Sequence, residues 1–166
     1  LGRLDEAIQA FQRRIEISQT LDDQRSLAIG LNCLGGVFKQ LGRLDEAIEA
    51  FQQVVEMSEE LEDKQQLAIT LTSLGGLLHK QGRFNEAVDV FLRSAAIEEQ
   101  HNNQPSLAII LTSLGRTFQQ QGRFNEAIDA LQRSAAIEEQ YNNQPSLAII
   151  LTSLGRIFHQ QKRFNE

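Results

Sequence analysis

The chain has few of the residues that staple, kink or decorate a small protein. One cysteine in 166 residues, Cys33, excludes an internal disulfide and a cysteine-based metal site. There is no tryptophan, one tyrosine and two prolines, and no apolar run approaches the roughly 20 residues that cross a bilayer as a helix. Positive charge is also in deficit: 16 Lys and Arg stand against 22 Asp and Glu, a net charge of -6. A general binder of nucleic acid or of an anionic membrane carries the opposite excess, so neither partner is expected. No glycine-rich phosphate loop is present. The reading is therefore of a non-enzyme without cofactor or metal, located in the cytoplasm.

What the sequence has instead is a period of 40 residues: Gly2-Arg3-Leu4-Asp5-Glu6-Ala7 returns as Gly42-Arg43-Leu44-Asp45-Glu46-Ala47, and again from Gly82 and Gly122 with Phe-Asn for Leu-Asp. A period of that length marks a solenoid of small units, each needing a neighbour to bury its apolar face. Residues 82–121 and 122–161 differ only at Val88/Ile128, Val90/Ala130, Phe91/Leu131, Leu92/Gln132, His101/Tyr141, Thr117/Ile157 and Gln119/His159. Such copies preserve a stacking surface rather than a unique site. The chain is read as one solenoid over 1–166, about four repeats, and, because it opens and closes on the same phase of the repeat, as a stretch of a longer array.

Each period holds two amphipathic windows. Leu27, Leu31, Leu34 and Phe38 recur at spacings of four, three and four, which places them on one helical face. This predicts first helices at about 24–41, 65–81, 105–121 and 145–161. Gly42 stands where a left-handed residue ends a helix, and Pro105 and Pro145 stand where later copies begin. Leu44, Ala47, Ile48, Phe51 and Val55 stripe a second helix over 44–61, with copies over 4–21, 84–101 and 124–141. The pairs Asp22-Asp23, Glu62-Asp63, Asn102-Asn103 and Asn142-Asn143 are turns between units. Gly35, Gly75, Gly115 and Gly155 lie inside the first helices, where glycine costs about 1 kcal/mol against alanine. The expected reason is close approach of the partner helix through Ala47 and its equivalents. The next position is Gly36, Gly76, Arg116 and Arg156, so it must face solvent.

Leu31, Leu34-Gly35, Phe38, Ala47 and Phe51 carry the spacing of the tetratricopeptide signature, repeated as Leu71, Leu74-Gly75, Leu78, Ala87 and Phe91. The chain resembles that family over essentially its whole length. It departs in carrying leucine for the usual tryptophan and Glu59, Glu99 and Glu139 for the proline near the end of the second helix. Its longer period looks like the variant in kinesin light chains, spindle-orientation adaptors and sensor arrays of bacterial STAND NTPases. The resemblance implies an all-α, right-handed superhelical solenoid of antiparallel helix pairs that binds a protein or peptide on a concave face lined by the first helices, as a sensor or adaptor arm. The rival readings are an autoregulatory segment controlling an attached ATPase or protease domain, and a structural spacer.

Opposite the buried stripe of the first helices lie the candidate ligand-binding residues Asn32, Lys39, Thr72, His79, Lys80, Thr112, Arg116, Gln119, Thr152, Arg156 and His159. No carboxylate occurs on this face, while Arg25, Lys39, Lys64, Lys80, Arg116 and Arg156 lie in the first-helix windows. An acidic peptide is therefore the expected partner. Ile29, Ile69, Ile109 and Ile149 also repeat there, with packing against the adjacent first helix as the expected role and an apolar ligand pocket as the alternative. His79 and His159, two repeats apart, cannot share a metal, and Cys33 is replaced by serine in the other copies. The asparagine and lysine carboxylate clamp of chaperone-binding relatives is incomplete, since threonine follows Asn32 in later copies. The unfinished first and last windows carry complementary apolar faces, so head-to-tail self-stacking of this stretch is expected, as a property of its open ends and not of the biological assembly.

Overall fold

The computed structural model describes residues 2–164, with side chains through 161. The described residues form eight α-helices and no strand. They divide into two compact units, residues 1–81 and 82–166. The first holds α1 (Gly2–Thr20), α2 (Gln24–Leu41), α3 (Leu44–Glu60) and α4 (Lys64–Lys80); the second holds α5 (Phe84–Gln100), α6 (Gln104–Gln120), α7 (Phe124–Gln140) and α8 (Gln144–Phe164). Inside each unit every helix packs on the next one along the chain. The even-numbered helices are the first helices of the repeats and the odd-numbered ones the second.

Two kinds of turn alternate, and both reverse the chain through one left-handed residue. Gly42, Gly82 and Gly122 take φ of 74°, 75° and 73°. The Gly42 amide donates to the Lys39 carbonyl and the Arg43 amide to Phe38, the paired bonds of a Schellman ending. In the other turns the left-handed residue is Asp22, Glu62, Asn102 or Asn142, at φ of 53° to 55°. The residue after it caps the next helix: Asp23 accepts from the Ser26 amide and Asp63 from Gln66, both at 3.0 Å.

In the first unit Ala28, Leu31 and Val54 form a buried cluster that Ile15, Leu27 and Met57 flank, joining α1, α2 and α3. In the second, Leu114, Leu131, Ile150 and Ile157 are fully enclosed. Gly35 and Gly115 mark close approach, whereas a Cβ on Gly155 would meet nothing within 4 Å. The expected contact through Ala47 is corrected at Gly35, where Phe51 and Ala50 lie nearest, and holds in part at Gly115, where the carbonyl of Ala127, the equivalent of Ala47, is among the nearest atoms. A Cβ on Gly35 would lie 2.9 Å from the ring of Phe51, and one on Gly115 2.6 Å from Cγ of Leu131 and 3.2 Å from the Ala127 carbonyl oxygen. The large residue one turn beyond the alanine fills the space, because it points back over the preceding turn. At Gly36 and Gly76 a Cβ would meet nothing, and Arg116 and Arg156 are exposed, as that position requires.

Candidate functional site

The solvent face of the first helices is built by what their buried stripe leaves over. In the first unit it presents Lys39 and Lys80 exposed, with Asn32, Thr72 and His79 half-buried. In the second, Arg116, Thr152, Arg156 and His159 are exposed, with Thr112 and Gln119 half-buried. The Gln119 Nε2 donates to Gln160 Oε1 at 2.9 Å, which sets these polar faces of α6 and α8 side by side.

The three threonines use their hydroxyls locally. Thr72, Thr112 and Thr152 donate to the carbonyls of Ala68, Ala108 and Ala148 one turn back, at 3.0, 3.0 and 2.8 Å. The Thr112 oxygen also lies 2.9 Å from Ser134 Oγ on α7, and Ser134 donates to the Ala108 carbonyl at 2.7 Å. Thr112 is thus part of the α6–α7 joint. The sequence pattern missed this pair, and the serine at 134 where α3 carries Val54 was its available signal.

The repeated isoleucines are only partly covered. Ile29, Ile69, Ile109 and Ile149 are 47%, 49%, 59% and 60% exposed, so about half of each side chain is covered and the rest meets solvent. The isoleucine is part-exposed in this way in every copy. In α6 and α8 it is followed seven residues later by Arg116 and Arg156, about 10 Å along the axis and on the same face.

The segment that marks each repeat, by contrast, is occupied structurally. Arg43 grips Glu46 and Arg123 grips Glu126, each through two hydrogen bonds, and Arg83 holds Glu86 at 2.7 and 2.6 Å. Those bonds hold all three glutamates below their ordinary pKa and raise Arg43 and Arg123. Arg43 and Arg123 also stack over Phe38 and Phe118, with 4.5 and 4.4 Å to the ring centroids. Asp45, Asn85 and Asn125 accept from the side-chain amides of Gln81, Gln121 and Gln161 at 2.6, 2.7 and 3.2 Å, tying repeat to repeat inside each unit.

A cavity of about 580 Å³ opens elsewhere in the second unit, between α5 and α7 over α6. Among the described residues no group of three or more His, Cys, Asp and Glu side chains could hold a metal ion, and no helix is long and apolar enough to cross a membrane.

A family model described as "Tetratricopeptide repeat" matches residues 26–100 and 103–166, and one described as "Anaphase-promoting complex subunit 5" matches residues 1–35. No curated protein matches. Among solved structures the chain is similar to the apo form of RapI, with a TM-score of 0.88 and 18% identity over 99% of this chain and 46% of that one. It is similar to nearly identical TPR-like repeats assigned to a kinesin light chain of Podosopora anserina, with a TM-score of 0.83 and 21% identity over 98% and 80%. A Rap protein complexed with Competence and Sporulation Factor gives 0.75 at 18% identity, over 94% and 47%. The chain therefore spans about half the length of the two Rap proteins.

Proposed function

The chain belongs to the tetratricopeptide-repeat family, and from that premise we propose that it is a non-catalytic scaffold, a sensor or adaptor arm that captures a protein or peptide on the exposed face of its first helices. The observation that carries this reading is a half-exposed isoleucine at the same position of each first helix, on helix faces without a carboxylate. A purely structural spacer has no use for a solvent-exposed aliphatic side chain at the same position of every copy. Arg116 and Arg156 add positive charge beside the row, so the favoured ligand presents apolar side chains bordered by acidic ones. The Rap protein complexed with Competence and Sporulation Factor is a precedent for ligand capture on a similar fold. We place the protein in the cytoplasm.

Fluorescence anisotropy with acidic amphipathic peptides tests the reading. Replacing both Arg116 and Arg156 by glutamate is expected to weaken binding about tenfold and to flatten its salt dependence, as losing exposed steering charges does. Replacing Ile109 and Ile149 by serine is expected to weaken binding without changing that dependence. Unchanged affinity in both double variants would remove this face from the function.

A second surface bears on how copies of this stretch associate with one another. On α8, Leu151 is 53% and Phe158 49% exposed, whereas their counterparts Leu111 and Phe118 on α6 are buried. Helix α1 carries Ala7 and Phe11, the counterparts of the Ala127 and Leu131 that α7 lays against α6, and both are only half-buried. We propose that the α1 of a second copy covers the α8 face in a head-to-tail contact.

A further inference from the structure

The cleft between α5 and α7 is not part of the first-helix face and shares no residue with it. Its walls are Leu92, Ala95, Ala96 and Glu99 of α5 and Glu126, Asp129, Ala130 and Arg133 of α7, and its floor is Leu111, Leu114 and Phe118 of α6. We propose that this cleft is a second docking site, taking a basic amphipathic segment of a partner protein that seats an apolar side chain against Leu92 and pairs a lysine or arginine with Asp129.

Three observations converge on that occupant. The first is comparison among the copies. Positions 92 and 96 hold leucine and alanine, where α1 holds Gln12 and Glu16 and α3 holds Gln52 and Glu56. The nearly identical next repeat has Gln132 opposite Leu92. Of the seven differences between those two repeats this is the one that sets an aliphatic residue in a solvent position: Leu92 is 49% exposed. A single exposed leucine is ordinary, but this one edges a cavity, and the glutamate that would wet its wall one turn on is alanine.

The second is the size of the space. About 580 Å³ falls within the roughly 300–1,000 Å³ range of sites that enclose a bound group, and a slot walled by two helices suits a segment that lays an apolar stripe into it.

The third is charge. The two arginines at the mouth are already engaged: Arg123 by Glu126 and the Phe118 ring, and Arg133 by Glu99 across the cleft at 2.6 Å. Asp129 has no ion-pair partner among the described residues. The three carboxylates Glu99, Glu126 and Asp129 against the two arginines leave the mouth one negative charge. An occupant that supplies a cation is favoured, and the acidic ligand proposed for the first helices is repelled here.

The test uses the 166-residue chain and a designed helical peptide with a leucine stripe flanked by lysines, read by NMR shift mapping and by anisotropy at physiological salt. The expected result is that shifts centre on Leu92, Ala96 and Leu111, and that Leu92→Gln weakens binding about tenfold, as loss of a central apolar anchor does. Glutamine stands at that position in the other three copies, so the variant keeps its fold, which circular dichroism checks. Asp129→Asn is expected to weaken binding about threefold and to reduce its salt dependence, while the Arg116 and Arg156 double variant binds the peptide unchanged. A peptide of the same charge with serine for leucine should not bind. Shifts on the first-helix face, equal binding of the serine peptide, equal affinity of Leu92→Gln, or no binding at millimolar peptide would each overturn the proposal.

Discussion

The left-handed residues of the inter-repeat turns are not equally suited to their conformation. Asparagine and aspartate visit positive φ with local side-chain support, as at Asp22, Asn102 and Asn142, whereas Glu62 at φ 54° has a longer side chain without it. Glu62→Asn is therefore expected to stabilise the first unit by about 0.5–1 kcal/mol, checked by urea unfolding of the intact chain. A shift of the midpoint to lower urea would show that Glu62 has a compensating role. The internal glycines give the opposite sign. Alanine gains about 1 kcal/mol in helix propensity at both Gly35 and Gly115, but at Gly115 it must displace Leu131 and the Ala127 carbonyl, while at Gly35 the nearest atoms belong to the Phe51 ring and Ala50 Cβ. Backbone moves less cheaply than a side chain, so Gly115→Ala is expected to cost about 1–3 kcal/mol net and Gly35→Ala less. Equal costs would show that the backbone contact is unimportant. The positions of these glycines were legible because they recur every 40 residues. Their contacts were not, since which atom of the partner helix arrives first depends on side-chain direction rather than on spacing.

At the scale of the element, every helix falls within a few residues of its expectation, α3 for example running Leu44–Glu60 against an expected 44–61. The agreement has a physical cause: each start from α2 onward is marked by a capping aspartate or asparagine or by the Gly-Arg turn, and each interior by an unbroken stripe. Helices α3, α5 and α7 also begin with an arginine that holds a glutamate three residues on, and this makes their starts acid-sensitive. Glu46, Glu86 and Glu126 are held below their ordinary values by the arginine hydrogen bonds, and Asp23 by the Ser26 amide. A carboxylate whose folded-state pKa is lowered contributes stability that is complete above its unfolded value, about 4.3 for glutamate, and is lost as pH falls below that through the folded value. The urea midpoint is accordingly expected to hold steady from neutral pH down to the carboxylate range and then to fall. Arg43→Gln should flatten part of that fall, and an unchanged slope would show that the pair contributes nothing measurable, as many exposed pairs do. What periodicity could not give at this scale is the cleft between α5 and α7, because a wheel describes one helix and the depth between two of them depends on the residues of a third.

Across the whole molecule, sequence alone separated the charges: every carboxylate lies on a second helix, in a turn or at the final position, and none on a first-helix face. That segregation was legible because it needs only the helix boundaries, whereas the exposure of the isoleucine row needed coordinates. The net charge of -6 also sets how two copies interact. Covering Leu151 and Phe158, each about half exposed, gains roughly 1–1.5 kcal/mol apiece. Even with the matching residues of α1 this is small beside the roughly 4–15 kcal/mol lost in rigid-body freedom on association, so head-to-tail contact is expected only at high protein concentration. Like charge on both partners opposes it further, and salt screens that repulsion. Self-association should therefore strengthen as salt is added, whereas capture of an acidic ligand by Arg116 and Arg156 should weaken. Light scattering over a concentration series at low and high salt measures the first effect, with Phe158→Glu expected to restore the monomer mass at every concentration. A constant monomer mass up to millimolar protein at high salt, or association that survives Phe158→Glu, would exclude the α8 face as the contact.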